Sequence, residues 1–285
     1  MQATTDLSRY NSFRLPARAR HVWFPRSEAE VLAALHAPGP ARRVVLGGGS
    51  NVVLTRNEYT DIGFIVLEHH LDALRISGRQ LIASAGTSLR AVCECAAAHA
   101  LGDLAPLYGI PGSIGGAAYM NAGAYGGELY RWVARVRSVE RSTGRIMERR
   151  RAEIPHGYRH TLYQGHDEII TEVTLELDED PDPAATRERM DALWARRLAR
   201  QPLDLPNAGS VFRRPASDVY VGPMIERLGL KGHRIGGAQV SERHAGFIVN
   251  AGGATGADVV ALTEYIRRRV REAYGHDLQR EQVWI

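Results

Sequence analysis

The residues Gly109-Ile-Pro-Gly-Ser-Ile-Gly-Gly-Ala-Ala-Tyr-Met-Asn-Ala-Gly-Ala-Tyr-Gly-Gly127 form the most unusual stretch of this 285-residue chain. Seven of its nineteen residues are glycine, against 29 in the whole sequence. Glycine loses more backbone entropy on folding than any other residue, so this excess needs a reason. Either the stretch contains tight turns with positive φ, or its backbone approaches a ligand closely and cradles phosphates with its N–H groups. The apolar side chains between the glycines, such as Ile110 and Tyr119, indicate a packed loop.

A second glycine-rich loop lies upstream, in Gly47-Gly48-Gly49-Ser50-Asn51. It directly follows Val44-Val45-Leu46, which is typical of a short buried strand. Three consecutive glycines let the backbone fold around a phosphate, and Ser50 and Asn51 add side-chain donors. The loop is not the G-x-G-x-x-G pattern and no long helix follows it, which argues against a Rossmann fold. Together the two loops predict two backbone cradles for one pyrophosphate, and hence a dinucleotide cofactor. A glycine-rich turn without a ligand stays open as the alternative.

The composition is that of an ordinary globular protein. Apolar residues make up 44% of the chain and charged residues 24%, and the formal net charge is +4. So mild a basic excess is compatible with an anionic substrate and does not require nucleic acid. The arginine runs Arg149–Arg151 and Arg267–Arg271 lack the aromatic interleaving of a nucleic-acid surface, so they are expected to be solvated faces.

The sequence gives no sign of secretion, membrane insertion or metal binding. Met1–Tyr10 lacks a basic segment followed by an apolar run, and no apolar run reaches the roughly 18 residues that a membrane span needs. Cys93 and Cys95 stand two apart in a predicted helix, so they point to different faces and are expected to be reduced thiols. The histidines have no partners at metal-ligand spacing. We therefore expect a cytoplasmic protein with no metal site.

The pattern of predicted elements divides the chain into three segments, 1–67, 68–182 and 183–285. The second boundary lies in the charged, proline-rich Glu179–Pro183, after which Pro183 begins a helix. Apolar periodicity and its flanking cap and turn signals predict the other elements. The main helices are predicted at 27–35, 88–99, 183–200 and 258–274, and the main strands at 21–24, 44–46, 52–54, 64–67, 80–85, 132–140, 145–150, 169–177, 211–212 and 246–250.

Three further stretches carry residue types suited to acid–base or anion chemistry. Arg159, in Gly157-Tyr158-Arg159-His160, has the planar fork that binds a carboxylate, although a surface Tyr–Arg pair would look the same. Ser210 follows the turn signal Asn207-Ala208-Gly209. Its hydroxyl either bonds that turn or donates a proton, which would require a carbanion or enolate as the acceptor. Glu281, in Leu278-Gln279-Arg280-Glu281, is by itself a solvated acid.

Several stretches, in this order and at these distances, resemble the UDP-N-acetylenolpyruvoylglucosamine reductase family, the FAD enzymes of peptidoglycan precursor synthesis. The resemblance covers nearly the whole chain, and the absence of a long insertion after Arg159 is similar to the compact type of the family. The stretches that carry it are Asn11–Arg14, Gly47–Asn51, Gly109–Gly127, Gly157–Arg159, Asn207–Phe212, Gly229–Gly232, His244–Asn250 and Leu278–Glu281.

The resemblance implies an α+β fold, with a two-part FAD-binding module of the vanillyl-alcohol-oxidase/PCMH type (1–67 and 68–182) and a C-terminal α/β substrate-binding domain (183–285). It implies FAD as the cofactor, NADPH as the reductant and an enolpyruvyl UDP-sugar as the small-molecule substrate. We also expect a monomer with no nucleic-acid or membrane partner. The residues that it places around FAD are Gly47, Gly48, Gly49, Ser50, Asn51, Gly112, Ser113, Gly115, Gly116, Asn121, Gly123 and Ala124.

The resemblance also implies a mechanism. Hydride would pass from N5 of the flavin to the vinyl carbon, and Ser210 would deliver a proton to C2. Arg159 and Glu281 would stabilise the enolate-like charge on the adjoining carboxylate, Glu281 as a protonated acid or through a shared proton. The residues expected to contact the substrate are Tyr158, Arg200, Asn207, Lys231 and His244. The alternatives are an FAD-dependent alcohol or sugar oxidase on the same fold, and a non-catalytic nucleotide-sugar binder that has lost FAD.

The sequence departs from the family pattern at three points. Thr161 replaces a serine two residues after the Tyr-Arg pair, with little consequence because both carry a hydroxyl. Gln282 stands where an aliphatic residue is usual, and the chain ends at Ile285, soon after Glu281. The last turn is therefore expected to be loosely held, and the placing of Glu281 to be less secure than that of Ser210.

Overall fold

The structure is a computed structural model that describes residues 4–216 and 218–285, so Met1–Ala3, the start of the Met1–Tyr10 segment, and Ser217 lie outside the described residues. The helices of the described residues are α1 Glu28–His36, α2 Leu89–Ala98, α3 Ile114–Met120, α4 Pro183–Arg200, α5 Val221–Arg227 and α6 Gly256–Tyr274. The strands are β1 Thr5–Asp6, β2 Arg18–Trp23, β3 Arg43–Leu46, β4 Val52–Val53, β5 Glu58–Val66, β6 Leu74–Ser77, β7 Gln80–Ser84, β8 Gly123–Ala124, β9 Gly127–Glu128, β10 Val133–Glu140, β11 Ile146–Arg150, β12 His156–Gly157, β13 His160–Thr161, β14 Glu168–Glu176, β15 Asn207–Ser210, β16 Arg234–Ile235, β17 Ala238–Val240, β18 Phe247–Asn250 and β19 Val283–Trp284. This mixture of helices and mostly antiparallel sheets confirms the predicted α+β class.

The chain forms two compact units, and each is discontinuous in sequence. Unit 1 comprises the described residues up to His21, Gly49–Asp61 and Leu198–Ile285, and unit 2 comprises Val22–Gly48 and Ile62–Arg197. The division passes within β2, β5 and α4. A division by sequence order cannot produce units of this kind, and the three segments 1–67, 68–182 and 183–285 stay a prediction.

Unit 2 is built on a five-stranded antiparallel sheet in the order β11-β10-β14-β7-β6. The predicted hairpin is confirmed as β10 and β11, and the predicted alternating strand is the central β14. Val136 and Val173 lie opposite each other on these strands and are fully buried. The helices α2 and α3 pack near β7 and β14, so the core of unit 2 lies between this sheet and its helices.

A parallel strand pair in unit 2 brings two chain segments out at the same edge. β3 runs parallel to the second half of β5, with Leu46 opposite Val66. The N–H of Leu67 continues the ladder by donating to the carbonyl of Leu46 at 2.8 Å. The residues that follow the two strands, from Gly47 and from Leu67 onward, therefore emerge side by side.

The glycine-rich stretch is only in part the loop that its composition predicts. Its middle forms α3, which begins after Ser113 and ends at Asn121 in the left-handed region with φ of +45°. The Oγ of Ser113 accepts the N–H of Gly116 at 3.3 Å as an N-cap. Gly115 is buried in α3, where a Cβ would lie 2.6 Å from the Cβ of Ala85. The expectation of a loop throughout was wrong, because close packing outweighs the low helix propensity of glycine.

Unit 1 contains a four-stranded antiparallel sheet in the order β15-β18-β17-β16, with α6 against β16 and β17. α6 begins with a capping box between Thr255 and Asp258 and ends at Gly275, whose φ is +72°. The predicted strand at 211–212 lies a few residues earlier, as β15. The segment predicted as a turn, 206–209, is mostly part of that strand, because a bulge at Gly209 absorbs the local bend.

The C-terminal residues are firmly held in unit 1. β19 pairs in parallel with β4. The carbonyl of Ile285 accepts hydrogen bonds from the N–H of Thr55 at 2.9 Å, the hydroxyl of Thr55 at 2.5 Å and the buried hydroxyl of Tyr59 at 2.7 Å. The expectation of a loosely held last turn was therefore wrong, since strand pairing and these three bonds fix the segment.

The two cysteines lie on α2 as free thiols, Cys93 buried and Cys95 half-buried. Burial raises the pKa of Cys93 to about 12, so this thiol stays protonated at neutral pH. Within the part of the chain that the structure describes, no helix combines the length and the apolarity that a membrane crossing requires. Among residues 4–216 and 218–285, no group of three or more His, Cys, Asp or Glu side chains could hold a metal ion.

Alanine at Gly115 is expected to destabilise the protein, whereas alanine at Gly116 is not. A Cβ at Gly115 would lie 2.6 Å from the Cβ and 2.8 Å from the carbonyl oxygen of Ala85. Overpacking of this kind costs about 1–3 kcal/mol. Gly116 is exposed, its nearest neighbour would be the Ser113 Oγ at 3.6 Å, and alanine there should gain up to about 1 kcal/mol. Thermal unfolding of both variants without cofactor measures the difference, and equal melting temperatures would contradict it.

Candidate functional site

The two glycine-rich loops meet within unit 2. A Cβ at Gly48 would lie 2.7 Å from the Cα of Gly112, and a Cβ at Gly47 would clash with the hydroxyl of Ser113. Backbones can approach this closely only where neither carries a side chain. Among the described residues, the N–H groups of Gly48 and Gly112 have no hydrogen-bond acceptor. The loops thus form a surface of bare backbone donors, which we call the glycine cradle (Gly47, Gly48, Gly112 and Ser113).

The N–H groups in the first turn of α3 differ in their surroundings: some bond the neighbouring backbone, and one lies on the exposed side of the helix near the glycine cradle. Ile114 donates to the carbonyl of Thr87 and Gly115 to the carbonyl of Ala85, at 2.8 and 2.9 Å. Gly116 donates to Ser113 and is itself exposed. Gly115 is therefore occupied in holding α3 against the sheet, whereas Gly116 presents a bare surface beside the cradle.

Glu68 lies against the glycine cradle, and sequence reasoning missed it. A Cβ at Gly48 would lie 2.6 Å from the Oε1 of Glu68. Burial raises the pKa of this half-buried carboxyl, an effect that the adjacent His69 partly opposes. The parallel register of β3 and β5 could have revealed it, since residue 68 follows one strand just as residue 48 follows the other. The sequence alone did not show that these strands pair.

Asn121 organises the segment after α3. It is fully buried, and its Nδ2 donates to the carbonyl of Gly157 at 2.9 Å and to the carboxylate of Glu128 at 3.0 Å. Its Oδ1 accepts the N–H of Tyr130 at 3.3 Å. Asparagine tolerates the left-handed conformation found here and bonds two separate segments, 128–130 and 157, at once. Asn121 therefore acts in unit 2 as a structural link between α3 and the loop that carries Arg159.

The same link positions Arg159. Its Nη2 donates to the carbonyl of Gly123 at 2.8 Å and its Nη1 to the carbonyl of Asn121 at 3.4 Å. Its guanidinium lies over the ring of Tyr158, 5.0 Å from the ring centroid, and its φ is +54°. The hydroxyl of Thr161 donates to the carbonyl of Tyr119 at 2.7 Å, a bond that a serine could also form. Unit 2 thus brings Tyr158 and Arg159 next to Asn121, Gly123 and Ala124.

Unit 1 holds Ser210 on a strand with a bulge. β15 pairs with β18, with Asn207 opposite Val249 and Ser210 opposite Phe247, so one extra residue lies between these pairs. Gly209 has φ of +72°, and its N–H donates to the Oδ1 of Asn207 at 3.0 Å. The carbonyl of Asn207 in turn accepts the hydroxyl of Ser12 at 2.6 Å. Bulges of this kind redirect the side chain that follows them.

The segment that contains Glu281 lies beside the segment that contains Ser210, within unit 1. The N–H of Glu281 donates to the carbonyl of Val211 at 2.9 Å, and Arg280 forms an antiparallel bridge with Phe212. The Nδ2 of Asn51 donates to the carbonyl of Glu281 at 3.2 Å. A Cβ at Gly209 would lie 3.9 Å from the carbonyl oxygen of Ser50. The second half of the Gly47–Asn51 motif therefore lies with the segments of Ser210 and Glu281.

Lys231 and His244 form a second polar group in unit 1. Lys231 is paired with Glu226 at 2.6 Å. Burial lowers the pKa of His244, and the positive charge of Lys231 lowers it further. The N–H of Gly246 donates to the Nδ1 of His244 at 3.1 Å, so the neutral ring carries its proton on Nε2. Arg200 is exposed, and its side chain has no partner among the described residues.

Comparison with known proteins decides the family. The sequence model of the UDP-N-acetylenolpyruvoylglucosamine reductase C-terminal domain matches residues 201–285, and that of an FAD binding domain matches residues 19–149. The UDP-N-acetylenolpyruvoylglucosamine reductase of Thermotoga petrophila is 41% identical over 279 residues, which are 98% of this chain and 96% of that protein. The chain belongs to the UDP-N-acetylenolpyruvoylglucosamine reductase family.

Two further family members agree over the whole length. The reductase of Francisella tularensis is 34% identical over all of both chains. The crystal structure of the reductase of Thermus caldophilus is 30% identical and superposes with a TM-score of 0.83, covering 99% of this chain and 98% of that one. The predicted family is confirmed, and so is FAD as its cofactor, since the FAD-binding domain covers both glycine-rich loops.

The bare backbone of the glycine cradle fits a pyrophosphate. Any side chain at Gly47 or Gly48 would fill the space between the two loops, and the N–H groups there have no acceptor within the described residues. Backbone N–H groups of this kind are the usual ligands of phosphate groups in proteins. The residues present therefore suit the phosphate part of FAD.

Proposed function

We propose that this chain reduces the enolpyruvyl group of UDP-N-acetylglucosamine enolpyruvate to give UDP-N-acetylmuramate, in peptidoglycan precursor synthesis, with NADPH as the reductant. Membership of the reductase family over the full length supports this substrate and reaction. The observation that carries the mechanism lies in unit 1, where the segments of Ser210 and Glu281 run antiparallel next to Ser50 and Asn51. We expect the protein to act as a monomer in the cytoplasm.

The glycine cradle would hold the pyrophosphate of FAD, with Asn121 supporting the segment of Gly123 and Ala124 nearby. Backbone donors suit this role because they are fixed by the fold and need no side-chain ordering. When bound, FAD supplies the hydride that the reduction requires. Ser50 and Asn51 are the last two residues of the Gly47–Asn51 motif, and the Nδ2 of Asn51 donates to the carbonyl of Glu281.

Ser210 is the proposed proton donor, through its Oγ, to C2 of the substrate. A serine hydroxyl is a weak acid, so it protonates only a strongly basic carbon such as that of an enolate. The reduction of an enol ether next to a carboxylate produces such a carbon. The bulge at Gly209, held by the side chain of Asn207, fixes the backbone from which this hydroxyl projects.

Arg159 is proposed to bind the substrate carboxylate and to stabilise the charge that develops there. Two backbone carbonyls, of Asn121 and Gly123, set the plane of its guanidinium, and a planar fork held in one orientation is what bidentate carboxylate binding needs. Stabilising a developing oxyanion in this way lowers the activation free energy by about 3–4 kcal/mol. Glu281 would act in its protonated form or through a shared proton, because an ionised carboxylate beside the enolate would repel it.

The cationic and polar side chains of unit 1 are suited to bind the parts of the substrate outside its enolpyruvyl group. Lys231 and Arg200 would bind the negatively charged diphosphate. His244 is suited to donate from Nε2 as a neutral ring, since burial lowers its pKa. Asn207 would contact the substrate beside Ser210, and Tyr158 would contact it beside Arg159.

The two alternative functions fit less well. An alcohol or sugar oxidase gives Ser210 and Glu281 no role, and a binder without FAD gives the glycine cradle no role.

Glu68→Gln is expected to strengthen FAD binding at neutral pH. A pyrophosphate in the glycine cradle would face the carboxylate of Glu68 and raise its pKa beyond the rise that burial already causes. FAD affinity of the natural protein should therefore fall as pH rises through this pKa, and the variant should not show that fall. Coulomb repulsion at a partly solvated site amounts to roughly 1 kcal/mol, or about fivefold in Kd at pH 8.

Fluorescence titration with FAD between about pH 4.5, near the ordinary carboxyl pKa, and pH 8 tests this expectation. The curves of the natural protein and Glu68→Gln should converge at the acid end. Glu188→Gln, an exposed change on α4, is the control. Weaker FAD binding by Glu68→Gln at pH 8 would contradict the placement of the pyrophosphate.

Ser210→Ala is expected to separate the two half-reactions. Reduction of the bound flavin by NADPH should stay within about twofold, and reoxidation by the enolpyruvyl substrate should slow about 10²–10⁴-fold, because a positioned proton donor contributes that much. Anaerobic photoreduction followed by stopped-flow reoxidation measures the second step. Ser142→Ala, an exposed change in the turn between β10 and β11, serves as the control. Unchanged reoxidation would remove Ser210 from the mechanism, and rapid oxygen consumption with an alcohol would favour an oxidase.

A further inference from the structure

The side chain of Gln282 is buried against the strand that carries Ser210. It is 4% exposed. Its Nε2 donates to the carbonyl of Ala208 at 3.1 Å and to the carbonyl of Gly209 at 3.3 Å. Burying an amide costs free energy unless hydrogen bonds replace those lost to water, so these two bonds determine where the side chain lies.

The two carbonyls belong to the bulge of β15. At a bulge the regular ladder is interrupted, and backbone groups lose their cross-strand partners. The pairing of β15 with β18 skips from Asn207 to Ser210, so Ala208 and Gly209 lie in the interruption. Gln282 therefore supplies from its side chain the donors that the neighbouring strand does not.

Gln282 also ties Ser210 to Glu281. The residue before it, Glu281, donates its N–H to the carbonyl of Val211 at 2.9 Å. Hydrogen bonds from Glu281 and Gln282 thus hold the backbone on both sides of Ser210. The C-terminal segment is anchored in turn by β19 on β4 and by the bonds to Ile285.

We propose that Gln282 is a positioning residue that sets the direction of the Ser210 hydroxyl and keeps it in register with Glu281. The inference rests on the proposed function of Ser210 as proton donor. Gln282 holds the bulge and does not itself exchange a proton with the substrate. Without its two bonds, the peptide groups of Ala208 and Gly209 could rotate, and a small displacement of a reacting group is enough to lose much of its rate contribution.

An apolar side chain at position 282 has opposing effects on global stability, and one of them is that the carbonyls of Ala208 and Gly209 lose their donors. The Oε1 of Gln282 is buried and has no hydrogen-bond donor among the described residues. Replacing the amide by an apolar side chain of similar length removes this unpaired acceptor as well as the two bonds, and the two changes oppose each other in the free energy of unfolding. If Gln282 had a purely structural role, its replacement would slow both half-reactions to a similar extent.

The experiment compares Gln282→Met with Gln279→Met, the same change at an exposed position three residues earlier. In Gln282→Met, flavin reduction by NADPH should stay within about twofold, while anaerobic reoxidation by the enolpyruvyl substrate should slow about 10–100-fold. Gln279→Met should match the natural protein in both steps. Equal slowing of both half-reactions, or no slowing of reoxidation, would overturn the inference.

Gln282→Glu adds a test that does not depend on the methionine variant folding. An ionised carboxylate cannot donate to the two carbonyls, but a protonated one can donate to one of them. Its reoxidation rate should therefore recover as pH falls through the pKa of this carboxyl, relative to the natural protein at each pH. A constant ratio across pH would overturn the inference.

The same measurements distinguish failure of the positioning role of Gln282 from failure of the proposed function. If the natural protein reoxidises with the substrate and Ser210→Ala is slow, but Gln282→Met is fast, the positioning role fails and the proposed function stands. If the natural protein does not reoxidise with the substrate, the proposed function fails, and the role of Gln282 fails with it.

Discussion

The approach of Gly48 to Gly112 is the constraint on which the proposed cofactor site depends. A single side-chain carbon at position 48 would lie 2.7 Å from the Cα of Gly112. The contact is possible because neither residue carries a side chain and because α3, which follows Gly112, is held against Ala85 by Gly115. Backbone donors placed in this way recognise phosphate without any side-chain chemistry.

A second constraint governs the other end of the chain. β19 pairs with β4, and Gln282 and Glu281 bond the strand of Ser210. The segment that looks in sequence like a short polar tail is thus a structural strand of unit 1. Its charged and polar residues are fixed by backbone pairing, which holds Glu281 in a defined place.

Local patterns in the sequence predicted most elements, but not the contacts between them. The caps at Ser27 and Thr255 and the alternation along β14 are local signals, and the helices and strands that they predict are present. α3 was not predicted because Gly115 serves contact with Ala85, which no local rule detects. The contacts of Glu68 with Gly48 and of Gln282 with Ala208 were not predicted for the same reason: each joins residues far apart in sequence.

The binding of FAD to Gly48→Ala measures how far the cofactor depends on the bare backbone of the glycine cradle. The control is Gly165→Ala, where a Cβ would meet nothing within 4 Å. Thermal unfolding without FAD first establishes that both variants fold. Titration should then show a Kd at least about tenfold weaker for Gly48→Ala, equivalent to about 1.4 kcal/mol, and unchanged for Gly165→Ala. A folded Gly48→Ala protein that binds FAD as tightly as the natural protein would contradict the account.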